Sequence, residues 1–253
     1  MLMLMTGCGS DDDDSSAAGT TTAAAEPDAT DQPSAEADVD MTAACDTWIE
    51  ADSTIVGFMF SGQGDADTVN AALDAAIAAA DPANEQTLVD LKASAQSQLE
   101  DPESEEGGDE TLSLYSDAIA WAGESCDVGT LDVTAVDYGF EGMPATMATG
   151  YHIVNFTNTG NEQHEMFAFR FNDDTTESID ELFALPEEEA FAKITPVNAA
   201  FAPAGASETV SWNLVEPGRY AIFCAIPVGT IGEVEGEGAP HFTEGMIEEF
   251  AVE

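Results

Sequence analysis

The chain has 253 residues, with 4 Lys plus Arg against 51 Asp plus Glu and a formal charge of −47. Lys92, Arg170, Lys193 and Arg219 cannot form a basic patch, so nucleic acid is excluded as a partner, and electrostatic docking on anionic lipid is disfavoured. The acidity runs along the whole chain and suits a salty environment, where screening shortens self-repulsion; a cationic partner is the sharper reading of the same charge.

Residues 1–8 open in apolar MLMLM and end at Cys8. The approach Leu-Met-Thr-Gly-Cys resembles the lipobox of bacterial lipoproteins, truncated at its start and with Met5 where Leu is usual. The resemblance implies that Cys8 is acylated and that lipid holds the protein to the outer side of a membrane; the alternative is a cytosolic start with a chance cysteine. Residues 9–40 have no aromatic and almost no large aliphatic residue. Such a stretch buries too little surface to offset its ordering entropy, and a disordered acidic tether is expected.

Residues 41–127 read as four helices. The first carries Trp48, Ile49, Ile55, Val56 and Phe58, and the second places Val69, Leu73, Ala76, Ile77 and Ala80 on one face. Asp81-Pro82 predicts an N-cap and first helical position for the third, whose stripe is Leu88, Leu91, Ala95 and Leu99. A linker at 100–110 precedes the last, with Leu112, Tyr115, Ile119 and Trp121. Short connections favour an up-and-down four-helix bundle. In that topology the first helix starts where the fourth ends, so Cys45 and Cys126 are expected to form a disulfide, which requires an oxidising compartment. The bundle shows no metal or catalytic pattern and reads as a spacer or docking module.

From 128 to 253 the texture changes to short strands at 131–136, 151–158, 165–171, 208–215, 219–226 and 246–252, with a helical insertion between the third and fourth. The expected fold is α+β and multidomain: the bundle followed by an antiparallel Greek-key β-sandwich. A sandwich of this kind can bring His164 to the same end as the Cys224–Met246 segment. Taken singly, each of these residues has a plainer reading: a buried thiol or core thioether, or, for His164, a solvated surface ring. His152 lies within a strand pattern and reads as structural.

The four residues gain weight together. The lead-in EPGRYAIFC to Cys224, the H-x4-M spacing of His241 and Met246 before a closing strand, and His164 after an Asn/Gly turn resemble the cupredoxin family over residues 128–253. The resemblance implies one copper ion, with Cys224, His164 and His241 in a trigonal plane and Met246 as the weak axial ligand. The departure is the spacing from Cys224 to His241, with sixteen residues intervening where short-loop members have only a few. The implied function is one-electron transfer, with a redox partner, no small-molecule substrate and no enzymatic activity. Pro240 and Phe242 flank His241, and the ring edge between them is expected to be an exposed electron port. Copper capture or delivery uses the same residues, and Glu233, Glu235 and Glu237 in the long loop slightly favour it. A metal-free interaction domain is the third reading.

Overall fold

The computed structural model describes residues 40–61, 64–100, 105–232 and 234–253. The lipobox with Cys8 and all but the last residue of the tether lie outside the described residues. Those described belong to one compact unit, Asp38–Glu253. In chain order the elements are α1 Met41–Ser61, α2 Ala66–Ala79, α3 Glu85–Glu100, α4 Glu105–Ser125, β1 Gly129–Val136, β2 Gly139–Glu141, β3 Thr146–Met147, β4 Gly150–Asn158, β5 His164–Phe171, α5 Ile179–Phe183, α6 Glu187–Phe191, β6 Ile194–Ala202, β7 Ser207–Leu214, β8 Gly218–Phe223 and β9 Ile247–Val252.

The four expected helices form, with two boundaries moved. Asp81 Oδ1 accepts from the amides of Ala83 and Asn84 at 2.6 and 3.2 Å, so Pro82 sits in a capped turn and regular helix begins at Glu85. Helix α4 starts at Glu105, inside the expected linker; once its apolar stripe is packed, adding turns costs little because propagation follows nucleation cheaply. The disulfide Cys45–Cys126 is formed, with Cα atoms 5.7 Å apart.

The strands make two sheets, β2-β1-β4-β7 and β3-β9-β8-β5-β6. Both are mixed, unlike the antiparallel sandwich expected from the sequence. β1 pairs with β4 in parallel, as does β3 with β9, and the remaining pairs are antiparallel. Parallel neighbours need a long connection; here the chain runs through β2 and β3 before re-entering as β4. The helical insertion is two short helices separated by Pro186. Strand β6, where Pro196 and a run of alanines weaken the strand signal, was not expected.

Period-two alternation divides the strands among three cores. Inward residues Val154, Phe156, Met166, Val210, Trp212, Tyr220 and Ile222 fill the sandwich, where Trp212 stacks on Phe250. On the opposite face of β4, Tyr151 and Ile153 join Trp48, Leu73, Leu88 and Ile119 in a second core. The helices therefore share a core with the first sheet. On the outer face of the second sheet, Phe169, Phe171 and Phe223 pack under Leu182 of α5.

At the junction of helices and sheet, Asp52 is buried and accepts a hydrogen bond from Ser211 Oγ at 2.6 Å and one from the Tyr115 hydroxyl. Burial pushes its pKa above the ordinary carboxylate value, against the opposing pull of those hydrogen bonds. Folding therefore shifts this group toward its protonated form. Stability from this group is complete below the ordinary carboxylate pKa and falls as pH rises through the raised one. Asp52→Asn, whose amide can still pair with both hydroxyls, is expected to stabilise the fold at pH 7 by on the order of 1 kcal/mol, with the gain vanishing near pH 3, as read by denaturant melts at both values. Replacing Cys45 and Cys126 with alanine should cost about 4 kcal/mol for a loop of this length in the chain-entropy model, measured by urea unfolding of metal-free protein.

Candidate metal centre

His164 opens β5 and points inward with Met166, while Cys224 follows β8 on the same inward parity as Tyr220 and Ile222. The antiparallel register Phe167↔Phe223 carries both to one end of the sandwich. A buried Asn158 shapes the turn before His164: its amide nitrogen donates to the carbonyls of Glu162 and Ala202 at 2.8 Å, and its oxygen accepts from the Gly160 amide at 2.8 Å. Glycine at position 160 leaves room for the ring, since a Cβ there would fall 2.5 Å from Asp137 Oδ1 and 2.6 Å from His164 Nε2.

His241 opens a single 3-10 turn, His241–Glu244, that the backbone ties to Cys224. The His241 amide donates to the Ile226 carbonyl at 2.9 Å and the Phe242 amide to the Cys224 carbonyl at 2.9 Å. The Met246 amide donates to the His241 carbonyl, and the Cys224 amide to the Met246 carbonyl, each at 3.2 Å. The long spacing between Cys224 and His241 is taken up by a pinched excursion. Val228 and Ala239 close its base at 3.0 Å, opposite the bridge Pro227↔Pro240. Gly236 makes the pinch possible, since a Cβ there would lie 2.2 Å from the Val228 carbonyl oxygen.

The donor atoms of His164, Cys224 and His241 lie within 4.8 Å of one another, and all three residues are fully buried. His241 Nδ1 is 3.1 Å from His164 Nδ1 and 3.3 Å from Cys224 Sγ. Bonds of about 2.0–2.3 Å from one ion to imidazole nitrogen and thiolate sulfur would span the 3.1 and 3.3 Å separations about His241. The set of two imidazoles and a thiol matches a soft, first-row transition ion, so the residues fit the expected metal. Met246 is equally buried, in the core cluster that holds Cys224.

A carboxylate orients the His241 ring from behind. Glu162 Oε2 lies 3.1 Å from His241 Nε2, so a proton on that nitrogen leaves the Nδ1 lone pair facing the cluster. Glu162 also accepts from the Tyr138 hydroxyl at 2.9 Å and from the Gly229 amide. Burial opposes its charge, but the Gly229 amide, the His241 ring and Tyr138 together hold its pKa below the usual value. His164 Nε2 sits 3.5 Å from Asp137 Oδ1, too far for a good hydrogen bond, and is a buried ring nitrogen with no hydrogen-bond partner. Burial and the neighbouring His241 lower the His164 pKa, keeping the ring neutral and able to ligate. Burial pushes the Cys224 thiol up to about 11 despite the Glu165 amide 3.3 Å from its sulfur.

The expected exposed edge of His241 is not there: the ring is fully buried, with Tyr138 edge-on at 5.3 Å. Phe242, half-buried beside it, stacks on Phe183 at 4.5 Å. Sequence reasoning missed Glu162, Asp137 and Tyr138. Glu162 lies two residues before His164, but a carboxylate in a protein this acidic carries no distinguishing signal. His152 stands apart from the cluster, its Nε2 2.9 Å from the Ala148 carbonyl oxygen.

No protein-family model and no curated protein matches the chain. Among solved structures, reduced auracyanin from Roseiflexus castenholzii is 21% identical with a TM-score of 0.33, over 49% of this chain and 96% of that one. Auracyanin A from Chloroflexus aurantiacus, described as a blue copper protein, is 14% identical with a TM-score of 0.33, over 49% of this chain and 98% of its own. Rusticyanin from Thiobacillus ferrooxidans is 18% identical with a TM-score of 0.30, over 49% and 77%. A multi-copper oxidase from Pediococcus acidilactici aligns over 51% of this chain but 27% of its own length, at 10% identity and a TM-score of 0.29. These likenesses are weak, and the chemistry rests on the donor geometry.

Depth and raised pKa make the metal-free thiol inert. In a Cys8→Ser background, Cys224 should react with an aromatic disulfide reagent at pH 7 at least ~100-fold more slowly than in the urea-unfolded chain. A rate near that of the unfolded chain would show that the sulfur is accessible.

Proposed function

We propose that the chain is a copper protein that carries single electrons. The observation that carries this is the convergence of His164 Nδ1, His241 Nδ1 and Cys224 Sγ in a buried pocket at the end of the sandwich. Those three residues would hold the ion, with the buried Met246 thioether as a weaker fourth donor. Copper, when bound, supplies one-electron exchange between its two common oxidation states.

The chain's own part is to keep the donors still and dry. Backbone hydrogen bonds lock Cys224, His241 and Met246 to one another, and Glu162 holds the His241 ring from its far nitrogen. Fixed ligands leave little to reorganise when charge changes, and burial keeps water from the thiolate. A bound cation also favours the deprotonated sulfur that Cys224 otherwise resists. Full burial of all three donors favours a carrier over capture and delivery, because delivery needs access to the metal.

The same reading places the protein outside the cytoplasm, where the disulfide Cys45–Cys126 persists, held to a membrane by lipid on Cys8. Among the described residues no helix is long and apolar enough to cross a membrane. An oxidase is disfavoured, because the chain has three histidines and paired histidine motifs need more.

The test is a visible spectrum of the full chain titrated with Cu(II). An intense blue thiolate-to-copper band at one equivalent, absent in Cys224→Ser and strongly weakened in His241→Ala with circular dichroism unchanged, is the expected result. No band, with copper lost on desalting, would overturn the carrier and leave the metal-free interaction domain.

A further inference from the structure

Because His241 is buried, electrons must cross the groups packed around it, and among these Glu162 leads from the ring to the exposed long loop. Glu162 joins the His241 ring to the Gly229 amide, and the Gln163 amide donates to the Thr230 carbonyl at 2.9 Å. Ile231 and Val234 lie just beyond, each donating its amide to the other's carbonyl, at 3.0 and 3.1 Å. That bridge presents two apolar side chains outward, Ile231 60% and Val234 69% exposed. A tight, backbone-bonded tip with both aliphatic side chains turned to water is a small apolar contact point.

Its surroundings are anionic. Glu235 and Glu237 are exposed on the same loop, and residues 225–246 contain no Lys or Arg. The Tyr138 hydroxyl donates to the same Glu162 at 2.9 Å. The four cations of the chain lie elsewhere, each in an ion pair: Lys92 with Asp74, Arg170 with Asp173, Lys193 with Glu177 and Arg219 with Glu249.

We propose that the Ile231–Val234 tip is the docking point for a redox protein that presents an apolar recess ringed by Lys and Arg, with Glu162 linking the docked surface to His241. This rests on the electron-carrier reading and replaces the exposed ring edge expected from the sequence. Opposite charge steers the encounter and salt weakens it, while the apolar tip sets the contact itself. The excursion between Cys224 and His241 then has a use: it carries the contact surface outward without moving either ligand.

The probe is cytochrome c, whose haem edge is ringed by lysines. Reduced cytochrome c is titrated into the isotope-labelled, copper-free full chain at low salt, and amide shifts are followed by NMR. The expected shifts cluster at residues 229–238 and at Asp137 and Tyr138, and disappear at high salt. The double variant Ile231→Ser, Val234→Ser, which alters only exposed side chains, should weaken binding at least fivefold. In copper-loaded protein it should lower the bimolecular electron-transfer rate at least tenfold while leaving the absorption band and the rate with hexaammineruthenium within twofold. Shifts confined to the helices or to exposed Phe201, a salt-insensitive titration, or an unaffected double variant would overturn the proposal. So would concentration-dependent shifts of the tip without cytochrome c, which would assign the surface to a second copy of the chain. Docking at the tip by a chain that shows no blue band would sustain the surface and overturn the carrier.

Discussion

The site depends on one constraint: the segment from Cys224 to Met246 is closed on itself by backbone hydrogen bonds. Cys224 gives its amide to Met246 and its carbonyl to Phe242, while His241 takes the Met246 amide and gives its own to Ile226. These bonds place a thiol, an imidazole and a thioether within one turn of chain. The one residue of the cluster that must be brought from elsewhere is His164, and the β5–β8 register delivers it. Tying these residues through main chain leaves their side chains free to act as donors. It also lets the excursion from Val228 to Ala239 vary in length without disturbing them, since closing a longer loop adds little free energy.

The helices meet the sandwich on the face of β4 and β7 that points away from the metal cluster. Tyr151 and Ile153 point to the helices and Val154 and Phe156 to the sandwich interior, so a single strand serves both cores. Asp52 is the polar exception in that junction, hydrogen-bonded by Tyr115 and Ser211 while burial raises its pKa. Ser211 sits between Val210 and Trp212 of the sandwich core. A change at this junction therefore reaches the strands that frame the metal end through packing. The disulfide closes the helical segment at its two ends and leaves Cys224 as the free thiol among the described residues.

Much of this was legible in the sequence because it is local. Alternation marked β1, β4, β5, β7, β8 and β9, and the apolar stripes marked four helices. The pairing of Cys45 with Cys126 followed from helix count and connection length alone. Strand β6 was missed because Pro196 and its alanines mimic a loop, and it is held as a strand by pairing with β5. The parallel pairing of β1 with β4 was equally hidden, since strand direction is set by where the intervening chain travels.

The sequence by itself determined which atoms are available to a metal: two imidazoles, one unpaired thiol and a nearby thioether, in an order that a β-sandwich can gather. Tertiary structure decided what surrounds them. It buried His241, set Glu162 behind it, covered it with Tyr138 and turned a long loop into a pinched excursion with an apolar tip. The physical reason is range. Side-chain chemistry and spacing along one strand are written locally, whereas burial and the partner of a given nitrogen depend on contacts between residues 77 and 79 positions apart.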